Sequence, residues 1–265
     1  MNIESQIQKT IQKYKLLDKK DKILVALSGG KDSAVLAFVL KKFGYNIEGI
    51  HVNLGLGEYS EESSKAVKKL CEKLGIKLYE YYVKDETGKT MLKIFKENKE
   101  RRLSSCTMCG VFKKWILNKK TRELKADKIA TGHHKEDELQ TFFMNILKGS
   151  PKLNVNFGPI LKIKDKKFAI KIKPLFFVKE KEIEKFCIEK KLPIVKKICP
   201  YRRETYRVEV RNFFWGLTDK EKENMIKNFT ELSKKIKREK SKVNYCETCG
   251  EPSRNIICKK CSLIK

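Results

Sequence analysis

The chain has 265 residues, 40% of them apolar, with 61 Lys and Arg against 33 Asp and Glu for a formal charge of +28. That apolar share excludes an intrinsically disordered chain, and no run approaches the ~18 apolar residues of a membrane span. A field this basic favours a polyanionic partner, nucleic acid before a membrane surface, because no amphipathic helix concentrates the charge beside exposed aromatics. A Lys/Glu-rich surface of the hyperthermophile kind explains many of the charges but not their imbalance.

The first segment, MNIESQIQKTIQKYKLLDKKDK, lacks the apolar centre of a secretory leader, so a cytoplasmic location is expected. Residues 3–17 read as a helix with Ile3, Ile7, Ile11 and Tyr14 on one face. KILVAL (22–27) is a buried strand that runs into SGGKDS, and an apolar-periodic helix follows over 33–43. NIEGIHVN (46–53) is a second strand, 60–75 a helix with a glycine stop, and KLYEYYV (77–83) a third strand. Helices near 89–100 and 107–124 precede the strand KIATG (128–132) and a helix over 135–147. The helical pattern lapses from 149 to 173. FAIKIKPLFF (168–177) then reads as a strand, 179–191 as a helix, LPIVKK (192–197) as a short edge strand, and 204–240 as one long basic helical region.

This alternation predicts an α/β fold with a doubly wound parallel sheet that binds its ligands at the carboxyl ends of the strands. The expected division is an N-terminal helix (1–20), a catalytic domain (21–215), a basic helical linker (216–244) and a compact tail (245–265). Nine cysteines in a cytosolic chain point to metal or redox chemistry rather than to structural disulfides. Cys71 and Cys187 fall at apolar-periodic helical positions and read as small buried residues.

VALSGGKDS joins a strand, a glycine turn and a helix start. Gly29 and Gly30 let backbone N–H groups curl around an anion, and the helix N-terminus adds its dipole. Lys31 adds a mobile charge, and Ser28 and Ser33 add hydroxyl donors. Val25 stands where a Walker A loop has its first glycine, so γ-phosphate hydrolysis is not expected. The six residues Ser28–Ser33, Asp32 among them, resemble the SGGxDS signature of the PP-loop ATP pyrophosphatases. The resemblance implies a loop that holds the pyrophosphate of ATP while a nucleophile attacks the α-phosphate to give an adenylated intermediate.

Cys106, Cys109 and Lys113 are spaced i, i+3, i+7 and share a face if a helix begins near Cys106. Two thiols cannot close a tetrahedral site. A third is available at Cys199 in KKICPY, where the following proline restricts the loop. Three thiolates can hold three irons of a cubane and leave the fourth open, whereas a fully ligated electron-transfer cluster takes four. Two other readings stand beside this one. A thioredoxin-like dithiol leaves Cys199 unexplained, and a persulfide pair would use the same three residues without a cluster. The adjacent His133 and His134 point to different faces, which argues against a shared metal; they read as helix-start residues near the nucleotide.

In order along the chain, SGGKDS, CTMCG, TGHHKEDELQTFFMN and ICPY resemble the tRNA-thiolating TtcA/TtuA group of the PP-loop family, over a span from Lys22 to Cys261. The resemblance implies that Cys106, Cys109 and Cys199 bind a [4Fe-4S] cluster whose free iron holds the sulfur. It implies that Lys113 and Asp137 act at the ATP, and that Ala26, Ser33, Val52 and Gly132 line the nucleotide.

The tail reads Cys-x2-Cys-x8-Cys-x2-Cys at Cys246, Cys249, Cys258 and Cys261, the spacing of a closed tetrahedral Zn2+ site. About 20 residues cannot build a core, so the metal must supply the folding energy. The thiouridine branch of the group carries such a C-terminal zinc ribbon and the thiocytidine branch does not, so the tail favours uridine. That branch also has an N-terminal ribbon, which is not expected here, because no cysteine precedes Cys71.

The combined expectation is an ATP-dependent tRNA 2-thiouridine synthetase. Mg–ATP adenylates the C2 oxygen of the base, and sulfide held on the open iron then displaces AMP. The cofactors are ATP, Mg2+, a [4Fe-4S] cluster and Zn2+. The partners are tRNA and a sulfur donor, either sulfide or a sulfur-carrier protein, and a homodimer is expected. Arg202, Arg203, Arg207 and Arg211 are candidates for RNA phosphates, or else form a solvated helix face. The alternatives are a tRNA 2-thiocytidine synthetase, a ligase like lysidine synthetase, which needs no cysteine trio, and a zinc-ribbon RNA-binding protein without catalysis.

Overall fold

The computed structural model describes residues 2–101, 103–161, 163, 165–201, 206–237 and 243–265. Helix α1 (Ile3–Tyr14) starts on Asn2, whose side chain accepts from the Glu4 N–H, and stops at Lys15 in the left-handed conformation, before the expected residue 17. Then come β1 (Ile23–Leu27), α2 (Lys31–Lys42), β2 (Ile47–Asn53), α3 (Glu58–Leu74) and β3 (Leu78–Tyr82). Two short helices, α4 (Val83–Thr87) and α5 (Met91–Glu97), lead to the long α6 (Ser105–Glu123). Next are β4 (Lys128–Ala130), α7 (Lys135–Leu147), β5 (Ile160–Leu161), β6 (Ile170–Ile172) and α8 (Glu180–Glu189). Helices α9 (Tyr206–Trp215) and α10 (Asp219–Lys235) precede the tail, which is built from β7 (Asn244–Tyr245), β8 (Pro252–Ser253) and α11 (Lys259–Ile264).

The main sheet runs β3-β2-β1-β4-β6-β5. The first five strands are parallel and β5 joins the edge antiparallel. The chain order reverses between β1 and β4, the switch point at which an α/β sheet opens a crevice beyond its strand ends. Strand β1, ILVAL, is apolar on both faces because both are covered. Leu24 packs with Ile50 and Ile129 toward α6, whereas Ile23, Val25 and Leu27 pack under α1, α2, α3 and α8. A second cluster joins α4, α5 and α6 through Val83, Met91, Ile94, Phe112 and Ile116, and a third joins α7 to α9 and α10 around Phe176 and Phe214.

Four expectations need correction. The strand expected over 168–177 is only Ile170–Ile172, because the chain turns at Pro174, which has no N–H for a ladder. LPIVKK forms no strand; its Val195 N–H instead donates to the Gly29 carbonyl at 2.8 Å, so this segment lies on the phosphate loop. The long basic helix is two helices, broken at Gly216–Thr218, where Thr218 and Glu221 form a capping box that starts α10. The antiparallel strand β5 lies where no strand was expected. Residues 204, 205 and 238–240 of the expected helix, with Arg202 and Arg203, lie outside the described residues.

Two glycines of similar appearance differ in what surrounds them. A Cβ on Gly49 of β2 would meet Leu27 Cδ1 at 2.7 Å and Cys71 Sγ at 3.1 Å, whereas one on Gly110 of α6 would meet nothing within 4 Å. Gly49→Ala is therefore expected to destabilise by about 1–3 kcal/mol through overpacking. Gly110→Ala is expected to stabilise by about 0.5–1 kcal/mol. Urea unfolding midpoints measure both, and the two shifts should have opposite signs.

Candidate nucleotide and cysteine site

The β1–α2 turn is held by its own side chains. The Ser28 N–H donates to Ser33 Oγ at 3.1 Å, and the Ser33 hydroxyl donates to the Gly30 carbonyl at 3.1 Å. Gly29 has φ +81° and sits against Ser63 of α3, whose Cα would be 3.1 Å from an added Cβ, so only glycine fits there. Lys31 lies 2.9 Å from Glu180 and 3.2 Å from Asp32. Burial works against its charge, but those two carboxylates outweigh it and hold the ammonium above its usual range. The N-terminal amides of α2 thus open on the crevice with a permanent cation beside them.

Strand β4 delivers the other wall. Gly132 passes so close to α2 that an added Cβ would lie 2.9 Å from both Asp32 C and Ser33 N. His134 caps α7 and is buried, with Nδ1 3.0 Å from Glu136 and Nε2 3.4 Å from Asp137. Burial opposes protonation of His134, but Glu136, Asp137 and Asp32 together raise its pKa. His133 is exposed, with Nδ1 2.9 Å from Thr131 Oγ1. Arg207, considered above for an RNA phosphate, turns inward to Asp137 at 3.7 Å and donates to Thr141 Oγ1 at 3.0 Å.

Beyond the ends of β1 and β2, between α3 and α6, lies a cleft lined among others by Ala26, Ser28, Val52, Asn53, Ser63 and Lys113. His51 also lines it and was not singled out from sequence. Its Nδ1 meets the Leu27 carbonyl at 2.8 Å, which places a proton there, and leaves Nε2 as a buried acceptor without a partner. Burial pushes the His51 pKa down, so the ring is neutral at pH 7. The only sequence signal for it was a polar residue between Ile50 and Val52 in a buried strand.

Ser104 caps α6 through its hydroxyl, which accepts from the Thr107 N–H at 3.2 Å, so Cys106, Cys109 and Lys113 do stand on one helix. Cys106 is exposed and Cys109 half-buried. Cys199 and Cys109 pack against the same apolar cluster. Burial raises the Cys109 thiol to about 12; Lys113 pulls it down, and the neighbouring Cys106 and Cys199 push it up. A metal bound at this thiol would have to displace that proton. Among the described residues, the trio is not one of the groups whose ligand atoms all lie within 4.8 Å of one another. Three thiols are the donor type that an iron–sulfur cluster takes.

Two anchors bring Cys199 here: the Val195–Gly29 hydrogen bond, and Lys197, paired with Glu58 and with Glu62 at 3.0 Å on α3. The nearby Tyr201 stacks obliquely on Phe95 of α5, with ring centroids 5.6 Å apart. Cys71 and Cys187 are buried, as expected, and burial raises the pKa of both, that of Cys71 to about 11.

In the tail, the sulfurs of Cys246, Cys249, Cys258 and Cys261 all lie within 4.8 Å of one another. Cys249 and Cys258 are 3.7 Å apart, and a tetrahedron with ~2.3 Å Zn–S bonds has edges of about 3.8 Å. Burial raises Cys246, but backbone N–H groups, foremost that of Cys258, overcome this and bring it down to about 6. The donor set fits a zinc-ribbon metal site.

Residues 1–214 match the PP-loop domain family ATP_bind_3. The chain is 37% identical to the tRNA-5-methyluridine(54) 2-sulfurtransferase of Pyrococcus horikoshii, over 97% of this chain and 83% of that one. It is 31% identical to the tRNA 2-thiolation protein NcsA of Haloferax volcanii, over 91% and 81%. Among solved structures it resembles the U34-tRNA thiolase NcsA from Methanococcus maripaludis with its [4Fe-4S] cluster, at TM-score 0.84 and 29% identity, covering 98% of this chain and 85% of that one. The chain belongs to the PP-loop family, within its group of tRNA 2-thiolation proteins.

Two measurements check this geometry. Because the folded His134 pKa is raised, the stability it contributes is full below about pH 6.5, its ordinary value, and fades as pH rises through the folded value. His134→Asn is therefore expected to lower the urea midpoint more at pH 6 than at pH 8.5. The tail is expected to bind one Co2+ per chain with tetrahedral thiolate absorption. Its affinity should fall on acidification, because all four ligands must be deprotonated, and Cys246→Ser should abolish the spectrum.

Proposed function

We propose that the chain is an ATP-dependent tRNA 2-thiouridine synthetase. The observation that carries this is Lys113, which lines the nucleotide cleft and also lies beside Cys109 on the same helix, so the ATP site and the thiol site share one cation. The loop Ser28–Ser33 and the N-terminus of α2 hold the pyrophosphate of Mg–ATP, with Lys31 as its counter-charge. Ala26 and Val52 bound the adenosine side, and Gly132 leaves room for it. Asp137, oriented by His134 and Arg207, positions the nucleotide and its Mg2+. The C2 oxygen of the uridine attacks the α-phosphate, and Lys113 stabilises the charge that develops there. Pyrophosphate leaves. Sulfide then attacks C2, and the oxygen departs with AMP. Cys106, Cys109 and Cys199 would hold the [4Fe-4S] cluster, which when bound supplies an iron with an open position for sulfur. Zn2+ in the tail cysteines is structural, because it leaves no ligand position open.

Names among the relatives, 5-methyluridine at position 54 and U34, support uridine over cytidine and a thiolase over a lysidine-type ligase. The setting is cytoplasmic, the donor is sulfide or a sulfur-carrier protein, and the working form is a homodimer.

The test is reconstitution under anaerobic conditions with unmodified tRNA, ATP and sulfide, followed by nucleoside mass spectrometry. The expected product is 2-thiouridine or its 5-methyl form, with one AMP released per sulfur, and fragment masses locate the base. Cys199→Ala is expected to lose both the visible cluster absorption and thiolation while adenylation partly survives. Lys113→Ala is expected to cut turnover by about 100-fold or more, the size of one lost transition-state contact, while tRNA still binds. A Cys199→Ala protein with a full cluster spectrum would remove the three-cysteine assignment.

A further inference from the structure

Helix α6 has a second working face. Lys113 and Leu117 look into the nucleotide cleft, whereas Val111, Lys114, Trp115 and Asn118 line another cleft on the far side. Its floor is Phe168 and Lys171, and its roof is the cysteine tail from Glu251 to Lys260. The tail is fastened there by polar contacts. Asn118 donates to the Lys167 carbonyl at 2.8 Å and to Glu251 at 3.3 Å, and accepts from the Ala169 N–H at 3.0 Å. Lys167 Nζ reaches the Gly250 carbonyl at 2.6 Å, and Arg122 pairs with Glu251.

These contacts use up the cleft's carboxylate but not its cations. Glu251 is engaged by Arg122 and Asn118. Lys171, on β6, has no carboxylate partner among the described residues; burial, then Lys114 and Lys173, push its ammonium down to about 8. Lys173 is itself paired with Glu138 at 2.8 Å, so it takes nothing from Lys171. The Trp115 indole N–H is buried without an acceptor, and Lys260 lies over its ring at 4.0 Å. Arg254 and Lys259 are exposed on the rim. Unpaired cations gathered in one cleft are complementary to an anion with several acceptor oxygens. The cleft also lies close to the proposed chemistry. Lys114 is five residues along α6 from Cys109, about 7–8 Å of helix axis.

Resting on the function proposed above, we propose that this cleft between α6 and the tail holds the sugar–phosphate backbone of the RNA substrate, with Lys171 and Lys114 as phosphate donors. The tail then serves as the roof of an RNA channel. A repeated phosphate fits better than a single free one, because the cations run from the floor at Lys171 to the rim at Lys259. The overall charge of +28 has the matching sign.

The test uses the full chain loaded with zinc and cluster, and titrates an unmodified tRNA transcript at several KCl concentrations. Lys171→Met is expected to lower the slope of log affinity against log salt by about 0.7–0.9 and to weaken binding about 5–8-fold at 0.1 M salt, the loss of one phosphate contact. Lys185→Met, which removes an exposed charge on α8, is expected to resemble wild type. Wild-type affinity should also fall between pH 7 and 9 as Lys171 loses its proton, and Lys171→Met should lack that part of the fall. At saturating tRNA the Lys171→Met variant should keep wild-type kcat with a raised KM for tRNA, normal zinc content and a normal unfolding midpoint.

If Lys171→Met matches Lys185→Met in affinity and slope while wild type binds and thiolates tRNA, the cleft is not the RNA channel. An acidic protein, such as a sulfur carrier, binding there in a Lys171-dependent way without any tRNA effect would overturn the proposal equally. If wild type neither binds nor thiolates tRNA, the function proposed above falls, and this inference with it.

Discussion

Everything at the centre of this molecule depends on one close approach. Gly132, just beyond β4, lies against the first peptide of α2, with no space for even a methyl group. That contact brings the N-termini of α2 and α7 to the same crevice at the sheet's switch point. Two helix dipoles then point their positive ends at one small volume, a costly arrangement unless an anion occupies it or acids surround it. In the protein itself Asp32, Glu136, Asp137 and Glu180 supply that negative charge, and they raise the pKa of Lys31 and of His134 among them. The loop thus carries counter-charges before any nucleotide arrives, and its hydroxyls are prearranged by the Ser28–Ser33 bonds.

Helix α6 divides the chemistry. One side closes the nucleotide cleft, its N-terminal turn carries two thiols, and its far side supports the cysteine tail. Its apolar anchors, Phe112 and Ile116, are fully buried, so the helix is fixed in rotation and its faces cannot exchange roles. A single rigid element therefore sets the separation between Lys113, the thiols and the charged seam.

Much of this was legible in the sequence, for identifiable reasons. Strand β1 and the loop after it are declared by a continuous apolar run meeting SGGKDS, and Cys199, set beside Cys106 and Cys109 by thiolate chemistry together with the family resemblance, packs on the same apolar cluster as Cys109. LPIVKK misled because its β-branched pattern suits a strand, whereas its backbone is committed to Gly29. The break between α9 and α10 was readable, since Thr218 and Glu221 have capping-box spacing, but the run of charged residues masked it. His51, the inward turn of Arg207 and the seam around Lys171 follow only from tertiary packing, which brings together residues that no local pattern relates.

The bond from Val195 to the Gly29 carbonyl has a consequence for how the three thiols meet. For a free chain, closing the 90-residue interval from Cys109 to Cys199 is entropically costly, whereas only four residues separate Cys199 from the anchored amide of Val195. On ideal-chain scaling that difference in closure is about 3 kcal/mol. The anchor raises the effective concentration of the Cys199 thiol at Cys106 and Cys109. Because the anchoring carbonyl belongs to the phosphate loop, the same hydrogen bond that holds Cys199 near the other two thiols also ties its position to that loop.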